Sequence, residues 1–114
     1  MEEKVNFLKK ILILGASGFI GNALYKELYP YFDTHGTYFT DNPLYARNQK
    51  FHQFDVEREN IGILLENLRP NIIISALRGN FDAQVAAHFG IIDYLLQNRN
   101  TKLIFLSSAN VFDA

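Results

Sequence analysis

Residues 9–21 read KKILILGASGFIG, and this stretch decides the fold. A continuously apolar run, Ile11–Leu14, stops abruptly at Gly15, and three glycines follow at positions 15, 18 and 21. The residues after the first glycines resume with helical spacing, because Ile20, Ala23, Leu24 and Leu28 fall on one face of a helix over Phe19–Tyr29. Strand, glycine loop and helix together form the context in which this spacing carries meaning. Gly15 allows a tight turn out of the strand, Gly18 allows the backbone to approach a phosphate, and Gly21 allows the helix to pack close to the sheet. The helix N-terminus then supplies free N–H groups and a positive dipole end to an anion. The candidate phosphate-binding residues are therefore Gly15, Ser17, Gly18, Phe19, Ile20 and Gly21, with the Ser17 hydroxyl as an added donor. The spacing is not that of a mononucleotide phosphate loop, since no Lys follows Gly21.

Outward from this stretch, short apolar runs and helical patterns alternate. Strands are expected at Ile11–Leu14, Gly36–Thr40, Phe51–Asp55, Asn71–Ala76 and Lys102–Ser107. "ILIL", "NIIISA" and "KLIFLS" are apolar throughout, the mark of strands in a parallel sheet covered on both faces. A second helix is expected over Glu57–Leu68, with Ile61, Leu64, Leu65 and Leu68 in phase and Pro70 stopping it. A third is expected over Phe81–Gln97, carrying Val85, His88, Phe89, Ile92 and Leu96. The segment "DNPLYARN" reads as a loop with room for a short helix. Such alternation specifies an α/β fold: a doubly wound parallel sheet of strand order 3-2-1-4-5, helices on both faces, ending after its fifth strand. That fifth strand is then an apolar sheet edge open to association with another chain.

Composition sets bounds on function. The chain has 114 residues, 48% hydrophobic and 20% charged, which is ordinary for one globular domain. A net charge of -1 gives no electrostatic reason to expect nucleic acid or an anionic membrane as partner. With no Cys, disulfides and thiolate metal sites are excluded, and a reducing cytoplasm is the expected location. The N-terminal "MEEKVNFLKK" lacks the apolar core of a signal peptide, and the apolar runs are too short to cross a bilayer. His35, His52 and His88 are dispersed without metal-ligand spacing. The aromatics Phe19, Tyr25, Tyr29, Tyr31 and Phe32 read mostly as core packing.

"GASGFIG" after a hydrophobic strand resembles the extended short-chain dehydrogenase/reductase superfamily, which comprises nucleotide-sugar epimerases, dehydratases and reductases. "GTYFT", "FDV" and "FLSSANVFDA" look most similar to the dTDP-4-dehydrorhamnose reductase type. The resemblance runs from Ile11 to Ala114 and implies a Rossmann domain over residues 1–114 that binds NAD or NADP, without the family's substrate domain. It places the adenine at Asp55 and Val56, although Asp55 is equally suited to cap the following helix. It places Ala76 and Leu77 along the cofactor, with Ser75 where the family has Asn. Ser108, preceded by Ser107, matches the family's catalytic Ser/Thr that holds a substrate oxygen. Arg78 follows the fourth strand on the same side, within reach of a phosphate or as an exposed loop residue. An acidic residue after the second strand would select the NAD ribose, and a nearby Arg a 2′-phosphate. Thr40 and Asp41 hold that position and Arg47 follows, so the choice between NAD and NADP stays open. The family's chemistry needs a Tyr-x-x-x-Lys pair, and none of the six Tyr here has Lys four residues on. The expected function is the NAD(P)-binding portion of a nucleotide-sugar reductase or epimerase, with a non-catalytic NAD(P)-binding or regulatory subunit as the alternative.

Overall fold

The computed structural model describes residues 9–77 and 81–106, apart from the side chains of Phe81 and Ala83. In chain order the elements are β1 (Lys10–Leu14), α1 (Phe19–Leu28), β2 (Asp33–Tyr38), α2 (Pro43–Ala46), β3 (Phe51–Gln53), α3 (Ile61–Leu68), β4 (Ile72–Ser75), α4 (Phe81–Gln97) and β5 (Lys102–Phe105). The strands form one sheet of order β3-β2-β1-β4-β5, and every pairing is parallel. The expected doubly wound α/β sheet is the one observed.

β1 shows why its sequence is apolar without alternation. Leu12 and Leu14 point into one cluster with Ile73 of β4, Ile61 and Leu65 of α3, and Ile91 and Tyr94 of α4. Ile11 and Ile13 point the other way, toward Ile74, Tyr38 and Phe51, with Leu24, Tyr25 and Leu28 of α1 packed against them. Both faces are dry, so Leu12, Ile13 and Leu14 are fully buried. Removing one such side chain, as in Leu12→Ala, costs about 2–5 kcal/mol through lost transfer energy and a cavity. Ile11 of β1 stands opposite Thr34 on one side and Ile72 on the other, so β1 is paired along both edges. The chain winds from β1 outward to β3, then returns through α3 to β4. The crevice between β1 and β4 is thus the point where the direction of winding reverses.

Several boundaries differ from expectation for identifiable reasons. β2 begins at Asp33 rather than Gly36, because its polar residues are paid out in hydrogen bonds: the Thr34 hydroxyl donates to the Phe32 carbonyl at 3.2 Å. It ends at Tyr38, before Phe39 and Thr40. β3 ends at Gln53 and β5 at Phe105, each short of the sequence reading. α3 begins at Ile61, not Glu57, and its cap is Asn60, whose side chain accepts from the Gly62 N–H. Asp55 caps no helix. Its carboxylate accepts from the Glu57 N–H at 2.9 Å and closes a turn instead. "DNPLYARN" does contain a short helix, α2, with Asn42 as its cap and Pro43 at its first position. Of the five aromatics expected in the core, Tyr25 and Phe32 pack against it, while Phe19, Tyr29 and Tyr31 are exposed. On α4 the buried residues are Ala87, Ile91 and Tyr94, and the stripe Val85, Phe89, Ile92 and Leu96 faces outward.

Two of the three histidines dispersed in sequence meet in space. His35 of β2 and His52 of β3 lie side by side, His35 Nδ1 being 2.9 Å from His52 Nε2. His35 Nε2 lies 3.1 Å from an Asp33 carboxylate oxygen, which also takes the Lys50 ammonium. A carboxylate only accepts, so His35 carries its proton on Nε2 and receives the His52 Nε2–H at Nδ1. Burial lowers the pKa of His35 and outweighs the opposing pull of Asp33; burial also lowers that of His52. For Asp33 burial acts upward, but the Lys50 hydrogen bond and the charges of His35 and Lys50 prevail and hold it below its usual value. Folding therefore favours neutral imidazoles. The unfolded chain takes up protons first as pH falls below the ordinary value of 6.5. Stability is complete above that value and declines as pH falls below it toward the lowered pKa values of the folded histidines, a window above the range where Asp33, held below its usual value, titrates. Urea unfolding at a series of pH values measures this decline, and His35→Gln flattens it. An equal decline in that variant contradicts the assignment.

Candidate functional site

The site is built where β1 meets α1. Gly15 adopts φ +83°, and its N–H donates to the Thr37 hydroxyl at 2.8 Å. The Ala16 N–H donates to the Thr37 carbonyl at 2.9 Å, so β2 holds the loop at two adjacent points. Gly18 then turns the chain in extended conformation, donating to the Gly15 carbonyl at 3.1 Å and accepting from the Asn22 N–H at 2.8 Å.

The three glycines have different reasons to lack a side chain. A Cβ on Gly15 would lie 2.7 Å from the Ala76 carbonyl oxygen, at a φ that strains any L-residue. A Cβ on Gly21 would lie 2.2 Å from the Gly15 carbonyl oxygen, so it is Gly21 that lets α1 start against the end of β1. Among the described residues, a Cβ on Gly18 would meet nothing closer than the Gly15 carbonyl oxygen at 3.4 Å, which is ordinary contact. The described residues thus give no steric reason for a glycine at position 18.

Gly18 is also the N-cap of α1, and among the described residues no side chain caps that helix end, nor does its first turn carry an acidic group. The other two short helices differ: Asn42 accepts from Leu44 N–H at 2.9 Å and Asn60 from Gly62 N–H at 2.7 Å. The first amides of α1 have no partner within the helix and give its end a partial positive charge. They adjoin a cavity of about 290 Å³ at the carboxyl ends of the strands. Gly15, Ser17 and Gly18 form one wall of this cavity, Asp55 and Val56 another, and Ala76 and Leu77 the side toward β4. Beyond Phe39 it continues into a shallow depression lined by Thr40, Asp41, Gln53 and Arg58. The Asp41 carboxylate is held there by Gln53, whose amide donates to it at 2.7 Å and to the Phe39 carbonyl at 3.0 Å. The rim is acidic, with Asp41, Asp55 and Glu57 against Arg58, which stands 3.7 Å from Asp55.

The fold thus gathers Gly15, Ser17, Gly18, Asp55, Val56, Ala76 and Leu77 around one cavity, with Thr40 and Asp41 in its extension. Phe19, Ile20 and Gly21 are not on the cavity wall: Phe19 is 89% exposed, and Gly21 is buried beneath the loop. Ser75 turns away from the cavity. It is fully buried, and its hydroxyl lies 2.9 Å from His88 Nε2. His88 Nδ1 donates to the Gln84 carbonyl at 2.6 Å, so Nε2 is the acceptor and Ser75 the donor. Arg78, Ser107 and Ser108 lie outside the described residues. Thr37, Tyr38, Phe39, Phe54 and Glu57 also line the cavity and were not singled out from sequence. Thr37 was the most accessible of these, because a Thr flanked by Gly and Tyr at a strand end is a ready hydrogen-bond partner for a neighbouring loop.

No family model matches the sequence. No curated protein matches it. Solved structures do match in fold. The enzyme WbmH of Bordetella bronchiseptica in complex with NAD+ superposes with a TM-score of 0.63 at 16% identity, over 83% of this chain and 37% of that one. dTDP-glucose 4,6-dehydratase of Bacillus anthracis in complex with NAD gives 0.62 at 17%, over 87% and 37%. A wide-type short-chain dehydrogenase/reductase of Veillonella parvula in complex with NADP gives 0.59 at 18%, over 94% and 51%. The chain therefore shares its fold with these enzymes and spans between about a third and a half of their length.

The distinct roles of the glycines are separable by experiment. Gly15→Ala and Gly21→Ala are expected to lower the unfolding free energy by about 1–3 kcal/mol or more, from strained backbone and overpacking. Gly18→Ala is expected to stay within about 1 kcal/mol of the parent chain. Denaturant unfolding of the three variants measures this, and an equally large loss at Gly18 would show that position to be structural as well.

Proposed function

We propose that this chain is the NAD(P)-binding portion of a nucleotide-sugar reductase or epimerase of the short-chain dehydrogenase/reductase type, and that the dTDP-4-dehydrorhamnose reductase type is the nearest. The observation that carries the reading is Gly18: a glycine for which the described residues give no steric reason, at a helix start without a side-chain cap, beside a cavity at the sheet's switch point. A pyrophosphate satisfies each of these features, through backbone amides, helix dipole and close approach. The matching structures that hold NAD+, NAD or NADP support the same reading.

On this reading the Gly15–Gly21 loop holds the pyrophosphate through the amides at the start of α1, those of Gly15, Ala16 and Gly18 being engaged within the chain, with Ser17 adding a hydroxyl. Asp41, fixed by Gln53, lies where a ribose hydroxyl would be received, and Thr40 stands beside it. Asp55 and Val56 face the adenine, and Ala76 and Leu77 flank the remainder of the cofactor. The cofactor, once bound, supplies hydride transfer at its nicotinamide ring. Ser108 is the residue assigned to orient a substrate oxygen. The proton donor of this chemistry is a Tyr paired with a Lys four residues on, and the 114 residues contain no such pair. In a second reading the chain holds the dinucleotide without turning it over. Both readings require binding, and the downstream reading frame separates them.

Titration calorimetry with NAD, NADH, NADP and NADPH tests the shared claim. Binding is expected for at least one of the four. Gly18→Val is expected to weaken it by about tenfold or more, equivalent to about 1.4 kcal/mol, with folding retained. A folded chain that binds none of them at millimolar concentration overturns the proposal.

A further inference from the structure

Two hollows meet at the carboxyl ends of β2 and β3. One is the cavity of about 290 Å³ beside the glycine loop, and the other is the depression that carries Asp41, about 560 Å³ in volume. Among the described residues, Phe39, Asp55 and Glu57 line both. Two of these are carboxylates, and Asp55 is committed to its own turn, where it accepts from the Glu57 N–H at 2.9 Å and stands 3.7 Å from Arg58. Phe39 is the third. It is 62% exposed and lies outside both core clusters of the described residues.

A lone exposed apolar side chain is ordinary, but the backbone beneath this one is pinned. The Tyr38 carbonyl accepts the Phe54 N–H at 2.8 Å, and the Phe39 carbonyl accepts the Gln53 side-chain amide at 3.0 Å. An aromatic side chain on fixed backbone loses little conformational freedom on contact and offers a flat apolar face to what enters. The second loop bordering the depression is the Asp55–Glu59 turn. Its Arg58 and Glu59 amides donate to the Asp55 carbonyl at 3.1 and 2.8 Å, and the Glu59 carboxylate accepts from the Asp55 N–H at 2.9 Å. That turn brings Arg58 to the same depression as Phe39. A guanidinium is planar and stacks on conjugated rings, as an aromatic side chain does. A hollow lined by both therefore suits a flat, conjugated ring.

Position decides which ring. The pyrophosphate is assigned to the glycine loop and a ribose hydroxyl to Asp41, so the junction of the two hollows falls to the base of the same nucleotide unit. On the dinucleotide reading, on which this rests, we propose that Phe39 is the stacking platform for the adenine base, with the Arg58 guanidinium as its second flat contact. Neither residue is marked by the glycine motif or by the family resemblance. Much of the affinity for the adenosine half then resides in one side chain at the end of β2.

The chain has no Trp, so Phe39→Trp places a single indole at the platform. ADP-ribose is the probe, since it carries the adenine and pyrophosphate of the dinucleotide without the nicotinamide. It is expected to bind the parent chain in titration calorimetry and to quench the indole of the Phe39→Trp variant, with an affinity close to the parent's. Phe39→Ala is expected to raise the dissociation constant by about tenfold or more, the scale of losing an aromatic platform under one base, with the unfolding midpoint unchanged. Phe39→Leu, which keeps apolar bulk without a conjugated face, is expected to weaken binding as well. Arg58→Lys, which keeps the charge and loses the plane, is expected to raise the constant by about two- to fivefold. A parent chain that binds ADP-ribose while Phe39→Ala binds it equally well, or while the Phe39→Trp indole stays unquenched, overturns this inference and leaves the dinucleotide reading standing. A folded parent chain that binds no ADP-ribose at millimolar concentration overturns both.

Discussion

The seat of α1 on the end of β1 depends on one close approach. A methyl group on residue 21 would lie 2.2 Å from the Gly15 carbonyl oxygen, so the first turn of the helix can rest there only because Gly21 has none. That approach fixes the start of α1 over the carboxyl end of the central strand, between β2 and β4. Thr37 locks the loop from β2 by accepting two amides, and Ala76 closes on Gly15 from β4. The cavity wall, the uncapped helix end and the position of Gly18 all follow from this geometry. Dry packing on both faces of β1 supplies the rigidity, with Leu12 and Leu14 on one side and Ile11 and Ile13 on the other.

Polar groups in the sheet are treated in two ways. Toward the starts of β2 and β3, the Asp33, His35, Lys50 and His52 side chains satisfy one another. Ser75 and His88 do the same between β4 and α4. Around the cavity, polarity is instead presented outward. The first amides of α1 receive no side-chain cap, and the Asp41 carboxylate is held at the rim by Gln53. The chain caps α2 and α3 with Asn, whereas the N-cap of α1 is Gly18, the end that the proposed reading assigns to a cofactor.

Most of the architecture was legible from residues alone. "ILIL" and "IIIS" are buried on both faces and so show no alternation, and the glycine spacing after β1 located the loop. The errors have specific causes. "DVERE" carries helix-start chemistry, but Asp55 spends it on a turn and Asn60 begins α3. The polar "DTHG" conceals the first half of β2, because Thr34 and His35 are buried through hydrogen bonds that sequence does not display. On α4, two apolar stripes share one helical period, and periodicity cannot say which faces inward. The smaller set, built on Ala87, fits against the sheet, and the bulkier one is left outside. Of the residues that line the cavity, Gly15 and Gly18 follow from the glycine spacing, and Asp55, Val56, Ala76 and Leu77 from the family resemblance, which marks the ends of β3 and β4. Phe39, Phe54 and Glu57 follow from neither, since they reach the cavity only through the way the loops after β2 and β3 fold over it.

The central claim is that the Gly15–Gly21 loop and the strand ends beside it form a dinucleotide site. Amide chemical shifts of the ¹⁵N-labelled chain, followed as NAD and then NADP are added, test it most directly. The account predicts the largest changes at Gly15–Gly21, at Thr40 and Asp41, at Asp55 and Val56, and at Ala76 and Leu77, with the His35 and His52 amides unmoved. Changes absent with both dinucleotides, or centred elsewhere on the sheet while the loop stays silent, would contradict it.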